Sequence, residues 1–274
     1  MDGLMALPVT GKTRLYAMLG NPVAQVRSPE VFNALFASLK ADAMLFAAQT
    51  EPEKLGTVVA GLKALGNLDG LFVTIPHKVA MLEHADQVLP DGLRVGAVNA
   101  MRREADGTWT ADMFDGQGFV AAMYSKGLTV RGKRVRLYGA GGAGMAIAVA
   151  LADAGADRIN LCEIDAGKAQ AVAAHLQTRC SGCQIQTHAI TDEPVDVLIN
   201  ASPIGMRAED GLPGSLEGLH AQSIIGDVII SPEPTALIRH ARHAGYATVD
   251  GADMHAGQVQ ALARFFGFGS AVQT

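Results

Sequence analysis

The stretch RVRLYGAGGAGMAIAVALADAG constrains this chain more than any other. A β-rich run, RVRLY, enters three glycines spaced G-x-G-x-x-G at Gly139, Gly141 and Gly144, and an alanine-rich helical run leaves them. Strand, glycine turn and helix in that order are half of a βαβ unit, which commits this part of the chain to a parallel sheet with crossover helices. Each glycine has a reason: Gly139 permits the tight turn, Gly141 lets backbone approach a pyrophosphate, and Gly144 lets helix and strand pack closely. Ala140, Gly142 and Ala143 complete a loop that feeds a helix N-terminus, whose N–H groups and dipole suit phosphate oxygens. A dinucleotide site is predicted over residues 139–144.

Cofactor choice is read at the end of the next strand, about 20 residues on. There the chain reads INLCEID, with carboxylates at Glu163 and Asp165. A carboxylate here accepts hydrogen bonds from a ribose 2′-hydroxyl and repels a 2′-phosphate, so NAD is expected over NADP. No arginine stands beside the acids, and the nearest downstream cation is Lys168.

Short strands alternate with Ala/Leu-rich amphipathic segments along the whole chain, an α/β pattern. Strands are expected near TRLYAML, AMLFAAQ, GLFVTIP and AVNAMRRE, with helices over 29–39, 53–65 and 78–85. Helix 116–126, ending at KGL, marks the crossing into a second domain. That domain carries a helix over 166–177 and strands near CQIQTHA, VDVLINA, SIIGDVII and YATVDG; GADMHAGQVQALARFFGFG closes the chain as one more amphipathic helix.

Composition narrows the function classes. A net charge of −5 over 274 residues provides no global field for nucleic acid or an anionic membrane. No apolar run reaches membrane-spanning length, and MDGLMALPVTGKTRLY lacks the pattern of a signal peptide. Three cysteines make a poor disulfide framework, so a reducing, cytoplasmic setting is expected. The pair in RCSGC has no second CxxC or paired histidines, so no metal site is predicted.

Seven short blocks combine polar residues with turn chemistry: GNPVAQVRSP (20–29), VTIPHK (73–78), GAVNA (96–100), ADMFDGQG (111–118), INASPIGM (199–206), DVIISPEPT (227–235) and GADMHAGQ (251–258). Their order around the glycine loop resembles the shikimate/quinate dehydrogenase family, over nearly the whole chain from about residue 16. The resemblance implies two domains: a substrate domain of residues 1–115 plus 251–274, and a Rossmann-like NAD domain of 116–250, with substrate in the cleft between them. It implies Lys78 and Asp115 as the catalytic pair acting on a hydroxyl proton. Thr74, Asn99 and Gln258 match groups that hold ring hydroxyls, and Ser28 matches a serine that binds the substrate carboxylate. Asn200, Ala201, Val228, Gly251 and Met254 match positions lining the nicotinamide end. The implied substrate is a hydroxylated ring carboxylate such as shikimate or quinate, in aromatic amino acid biosynthesis; monomer and homodimer both stay open.

Physical chemistry supports that pair. Oxidising a secondary alcohol needs a base for the hydroxyl proton as hydride leaves, and a partly desolvated lysine beside a carboxylate can serve. Taken singly, Lys78 reads as a solvated strand end and Asp115 as a helix N-cap. His77 reads as a packing residue, and His255 lies beside the expected ring-binding helix. Three departures bear on substrate. Gln25 and Val26 stand where the family has histidine and a first serine, Met113 and Phe114 replace Asn-Thr, and Ile230 replaces a frequent tyrosine. Changes in buried hydrogen-bonding groups shift discrimination between polyols by orders of magnitude. Two alternatives accompany the dehydrogenase reading: a binding or regulatory paralogue without efficient turnover, and an NAD-dependent dehydrogenase of a different small hydroxy acid.

Overall fold

The computed structural model describes residues 9–187, 193–207 and 209–269. The chain divides into two compact units, one running to Met113 and resuming at Leu262, the other spanning Phe114–Ala261.

The first unit holds a six-stranded mixed sheet. Its strands are β1 (Arg14–Gly20), β2 (Ala43–Gln49), β3 (Leu68–Val73), β4 (Gln87–Val88), β5 (Ala100–Arg103) and β6 (Trp109–Asp112), in the order β2-β1-β3-β5-β6-β4. β1 pairs in parallel with β2 and β3, while β5 runs antiparallel to both β3 and β6. Tyr16 to Gly20 are buried without alternation, as expected of a central parallel strand covered on both faces. Helix α1 (Ser28–Ser38) buries Phe32 and Phe36, four residues apart and so on one face. With Tyr16, Phe72, Phe266 and Phe268 they form an aromatic cluster whose ring centroids lie 4.6–6.1 Å apart.

Two short helices complete the unit, α2 (Leu55–Lys63) and α3 (Pro90–Val95). The helix expected over 78–85 is absent; only a 3₁₀ turn, Ala80–His84, forms there. So short a segment has little helical stability of its own. The chain is instead drawn into β4, with Asp86 N–H donating to the Trp109 carbonyl and Asp86 Oδ2 accepting from Trp109 N–H. Strand β6 and helix α3 lie outside the elements expected from the sequence.

The second unit is a six-stranded, wholly parallel sheet: β7 (Arg134–Tyr138), β8 (Arg158–Cys162), β9 (Gln184–Gln186), β10 (Val195–Asn200), β11 (Leu219–Asp227) and β12 (Ala247–Val249). The order β12-β11-β10-β7-β8-β9 is that of a doubly wound dinucleotide fold, with its switch point between β7 and β10. The expected strand near CQIQTHA is described only through residue 187.

Its helices are α4 (Asp115–Ser125), α5 (Gly142–Asp153), α6 (Ala166–Gln177), α7 (Ala236–His243) and α8 (Gly251–Phe265). Small residues let them approach: a Cβ on Gly116 would lie 2.1 Å from the Ala146 carbonyl oxygen of α5. Likewise a Cβ on Gly257 would lie 2.3 Å from the Gly118 carbonyl oxygen, which sets α8 close against α4. That contact groups residues 251–261 with the second unit, whereas the sequence reading assigns all of 251–274 to the first domain. From Leu262 onward the chain belongs to the first unit, where Phe266 stacks on Phe72. Among the described residues, no helix is long and apolar enough to cross a membrane.

Candidate active site

In the first unit the polar groups gather where β1 and β3 end. Thr74 N–H donates to the Leu19 carbonyl at 2.9 Å, and Asn21 N–H to the Ile75 carbonyl at 2.9 Å. The strand ends come close enough that a Cβ on Gly20 would lie 2.4 Å from Thr74 Cγ2. After Pro76 the chain folds back. The Lys78 carbonyl accepts Val98 N–H at 2.9 Å, and the Asn99 carbonyl accepts Val73 N–H at 2.8 Å. Thr74, Lys78 and Asn99 are thereby brought to the carboxyl end of β3 by backbone bonds. Ser28 begins α1, and both Ser28 and Asn99 are buried, each 6% exposed.

His77 does more than pack. Its ring is buried, and Nε2 lies 2.8 Å from the Thr50 carbonyl, which only a protonated Nε2 can satisfy. The ring therefore ties the turn before Lys78 to the end of β2.

In the second unit Asp115 does not play the N-cap role open to it. It is the first residue of α4, Phe114 holds the cap position, and no side chain caps that end. The carboxylate is buried, 2% exposed, and its Oδ1 accepts from Gln258 Nε2 at 3.2 Å. The helix contact made by Gly118 and Gly257 sets this pair; a Cβ on Gly118 would lie 2.2 Å from Gln258 Cγ.

The glycine loop carries the geometry its spacing predicts. Gly139 has φ +96°, and a Cβ there would meet the Ala201 and Ser202 backbone at 2.7–2.8 Å. A Cβ on Gly144 would lie 2.1 Å from the Gly139 carbonyl oxygen, so helix α5 packs on its own turn. Gly141 precedes the helix, and a Cβ there would touch nothing within 4 Å. Open space over backbone donors at a helix N-terminus fits a pyrophosphate.

Glu163 closes this end. Its Oε2 accepts from Ala140 N–H at 3.0 Å and from Lys168 Nζ at 2.8 Å, and its Oε1 accepts from Ile164 N–H at 2.9 Å. Partial burial pushes the carboxyl upward, but Lys168 and the two N–H groups outweigh it and hold the group below its ordinary value. Asp165 is spent differently: its Oδ1 accepts Lys168 N–H at 3.0 Å and caps α6. Of the two acids, Glu163 is the one joined to the glycine loop.

At the ends of β10 and β11 lies a polar network that joins Asn200 to Asp227 and Thr235, two residues to which the motif reading gave no role. Asn200 and Asp227 are almost wholly buried. Asp227 Oδ1 accepts from Asn200 Nδ2 at 3.0 Å and Ile229 N–H at 3.1 Å, and its Oδ2 accepts from Thr235 Oγ1 at 2.6 Å. Burial pushes the Asp227 carboxyl up to about 6 against those hydrogen bonds, with Asp250 adding to the rise. Thr235 also caps α7. The sequence signal was an acid closing the apolar run SIIGD, directly before Val228. Beside it, a Cβ on Gly251 would lie 2.4 Å from the Ile229 and 2.8 Å from the Val228 carbonyl oxygen, and Met254 is buried. Asn200, Ala201, Val228 and Gly251 thus surround one end of the parallel sheet.

Two other features stand apart from these groups. A polar cleft of about 420 Å³ lined by Arg14, Asp69, Arg102 and Glu104 lies at the opposite, amino end of β1 and β3, and its arginines pair with its acids. Cys180 and Cys183 are buried.

Known proteins resemble this chain in sequence and fold. Residues 18–101 match the family model described as the shikimate dehydrogenase substrate binding domain. A shikimate dehydrogenase (NADP(+)) of Bacillus anthracis is 35% identical over 245 residues, 88% of each chain. The shikimate 5-dehydrogenase of Listeria monocytogenes in complex with shikimate and NAD superposes with a TM-score of 0.81 at 27% identity, covering 97% of this chain and 94% of that one. A ligand-free 5-ketofructose reductase of Gluconobacter sp. strain CHM43 gives 0.80 at 29%, covering 94% of each. With a relative 35% identical over 88% of each chain and a family-model match beside it, this chain belongs to the shikimate dehydrogenase family of oxidoreductases.

Proposed function

We propose that the chain interconverts a secondary alcohol of a shikimate- or quinate-like polyhydroxylated molecule and its ketone, using a pyridine nucleotide and favouring NAD. A bound nucleotide supplies the hydride acceptor. The carbinol carbon gives up its hydrogen with two electrons, and the hydroxyl gives its proton to the Lys78 amine. The products are ketone, reduced nucleotide and a protonated lysine, whose proton then leaves to solvent. Asp115 is the second member of the catalytic pair, Thr74, Asn99 and Gln258 hold the remaining hydroxyls, and Ser28 takes the ring substituent that its family position binds. The observation that carries this reading is Asp115 itself, buried and engaged by Gln258 where the N-cap role stood open to it.

Preference for NAD rests on Glu163, whose charge faces the loop end where a 2′-phosphate would come. The NADP(+) in the names of relatives makes this the point to measure. Replacing Lys78 with alanine should lower kcat by about 10³-fold or more with NAD affinity retained. An unchanged low rate would instead favour a binding protein. Titration calorimetry with both nucleotides should show tighter NAD binding, and Glu163→Gln should shrink the difference; tighter NADP binding by the parent protein would sink the NAD assignment.

A further inference from the structure

The turn that delivers Ser28 is poor in unspent donors and carries surplus negative charge. Gln25 Nε2 donates to the Pro22 carbonyl at 3.1 Å. Arg27 donates through Nε to Glu30 at 2.8 Å, and the two side chains are 56% and 66% exposed, turned to solvent. Asn21 Nδ2 donates to Glu51 at 2.8 Å. Val26 has no donor. Two carboxylates, Glu30 and Glu51, thus flank the turn against one guanidinium already paired, and Glu30 puts a negative charge in the first turn of α1. An ionised carboxylate taken into a partly buried site needs a cation or several hydrogen bonds; a hydroxyl or carbonyl needs one or two.

From this inventory we propose that the substrate group facing the Val26–Ser28 turn is uncharged, so that the chain acts on a neutral polyol and its hydroxyketone rather than on a ring carboxylate. The proposal rests on the dehydrogenase reading above and narrows its substrate. Ser28 receives a hydroxyl, Val26 covers its carbon, and the Arg27–Glu30 pair stays closed.

The test is a panel of shikimate and quinate against myo-inositol, sorbitol and fructose with oxidised nucleotide, and 5-ketofructose with reduced nucleotide, using both NAD and NADP. The best neutral compound should exceed shikimate and quinate in kcat/KM by about 100-fold. Val26→Ser should narrow that gap by about ten-fold, the worth of one strong hydrogen bond to a charged group. Glu30→Gln, an exposed change that frees Arg27, should narrow it in the same direction. Higher kcat/KM for shikimate or quinate than for every neutral compound would overturn the proposal and leave the dehydrogenase reading standing. No turnover in either class, with nucleotide still bound, would overturn both.

Discussion

The two units solve the same packing problem with opposite materials. The first fills its sheet-to-helix space with large rings, Phe32, Phe36, Phe72 and Phe266 around Tyr16. The second brings backbones together over glycine and alanine, with Gly116 against Ala146 and Gly118 against α8. Each choice suits what the unit presents. A nucleotide loop needs main-chain N–H groups close to a ligand, and bulky side chains would hold the backbone away. The discrete polar side chains at the ends of β1 and β3 need only a firm base under the strands, which aromatic packing provides.

That contrast predicts opposite vulnerabilities: the first unit should suffer most from lost volume, the second from added volume. Phe72→Ala should be the most damaging change, about 3–5 kcal/mol less stable in urea or thermal unfolding, because a stacked and wholly buried ring is removed. Gly116→Ala should cost about 3 kcal/mol, although the same exchange stabilises a solvent-facing helix, since its Cβ would meet the Ala146 carbonyl oxygen at 2.1 Å and Ala150 Cβ at 2.8 Å. If Gly116→Ala proved neutral and Phe72→Ala mild, the contrast would be empty.

A smaller effect separates the units by pH. Asp227 has a folded pKa of about 6, raised from an ordinary 3.8, so the folded state holds its proton over that interval while the unfolded chain has released it. Stability from this group is complete below pH 4 and is lost as pH rises through 6, by at most about 3 kcal/mol. Asp227→Asn should remove that slope: the stability difference between parent and variant should shift toward the variant between pH 4 and 6. A pH-independent difference would show that the carboxyl keeps its ordinary pKa in the fold.

Some of this was legible because it is local. The glycine loop reads directly, since tight turn, open donor and close packing each depend on residues within six positions. Strand β8 and the acid at Glu163 follow from spacing. The segment after Lys78 was misread as helix, because what stops it is pairing with Trp109, more than twenty positions away. Helix α7 escaped notice for a similar reason: Thr235, which caps it, also answers to Asp227 on the neighbouring strand.

Sequence alone determined the alternation of strands and helices and the nucleotide loop with its acid, because residue types at short spacing suffice for each; Lys78 and Asp115 became candidates through the resemblance of their blocks to a family. Only the tertiary structure decided which partners the polar side chains meet. Asp115 could have capped its helix until Gln258, 143 positions away, was seen donating to it. Arg27 could have served a substrate carboxylate until Glu30 was found holding it. Asp165 could have met a ribose until α6 was seen to begin on it. A side chain's charge is written in its identity. Its hydrogen-bonding partners are chosen by whatever the fold brings within about 3 Å, and that choice settles its role.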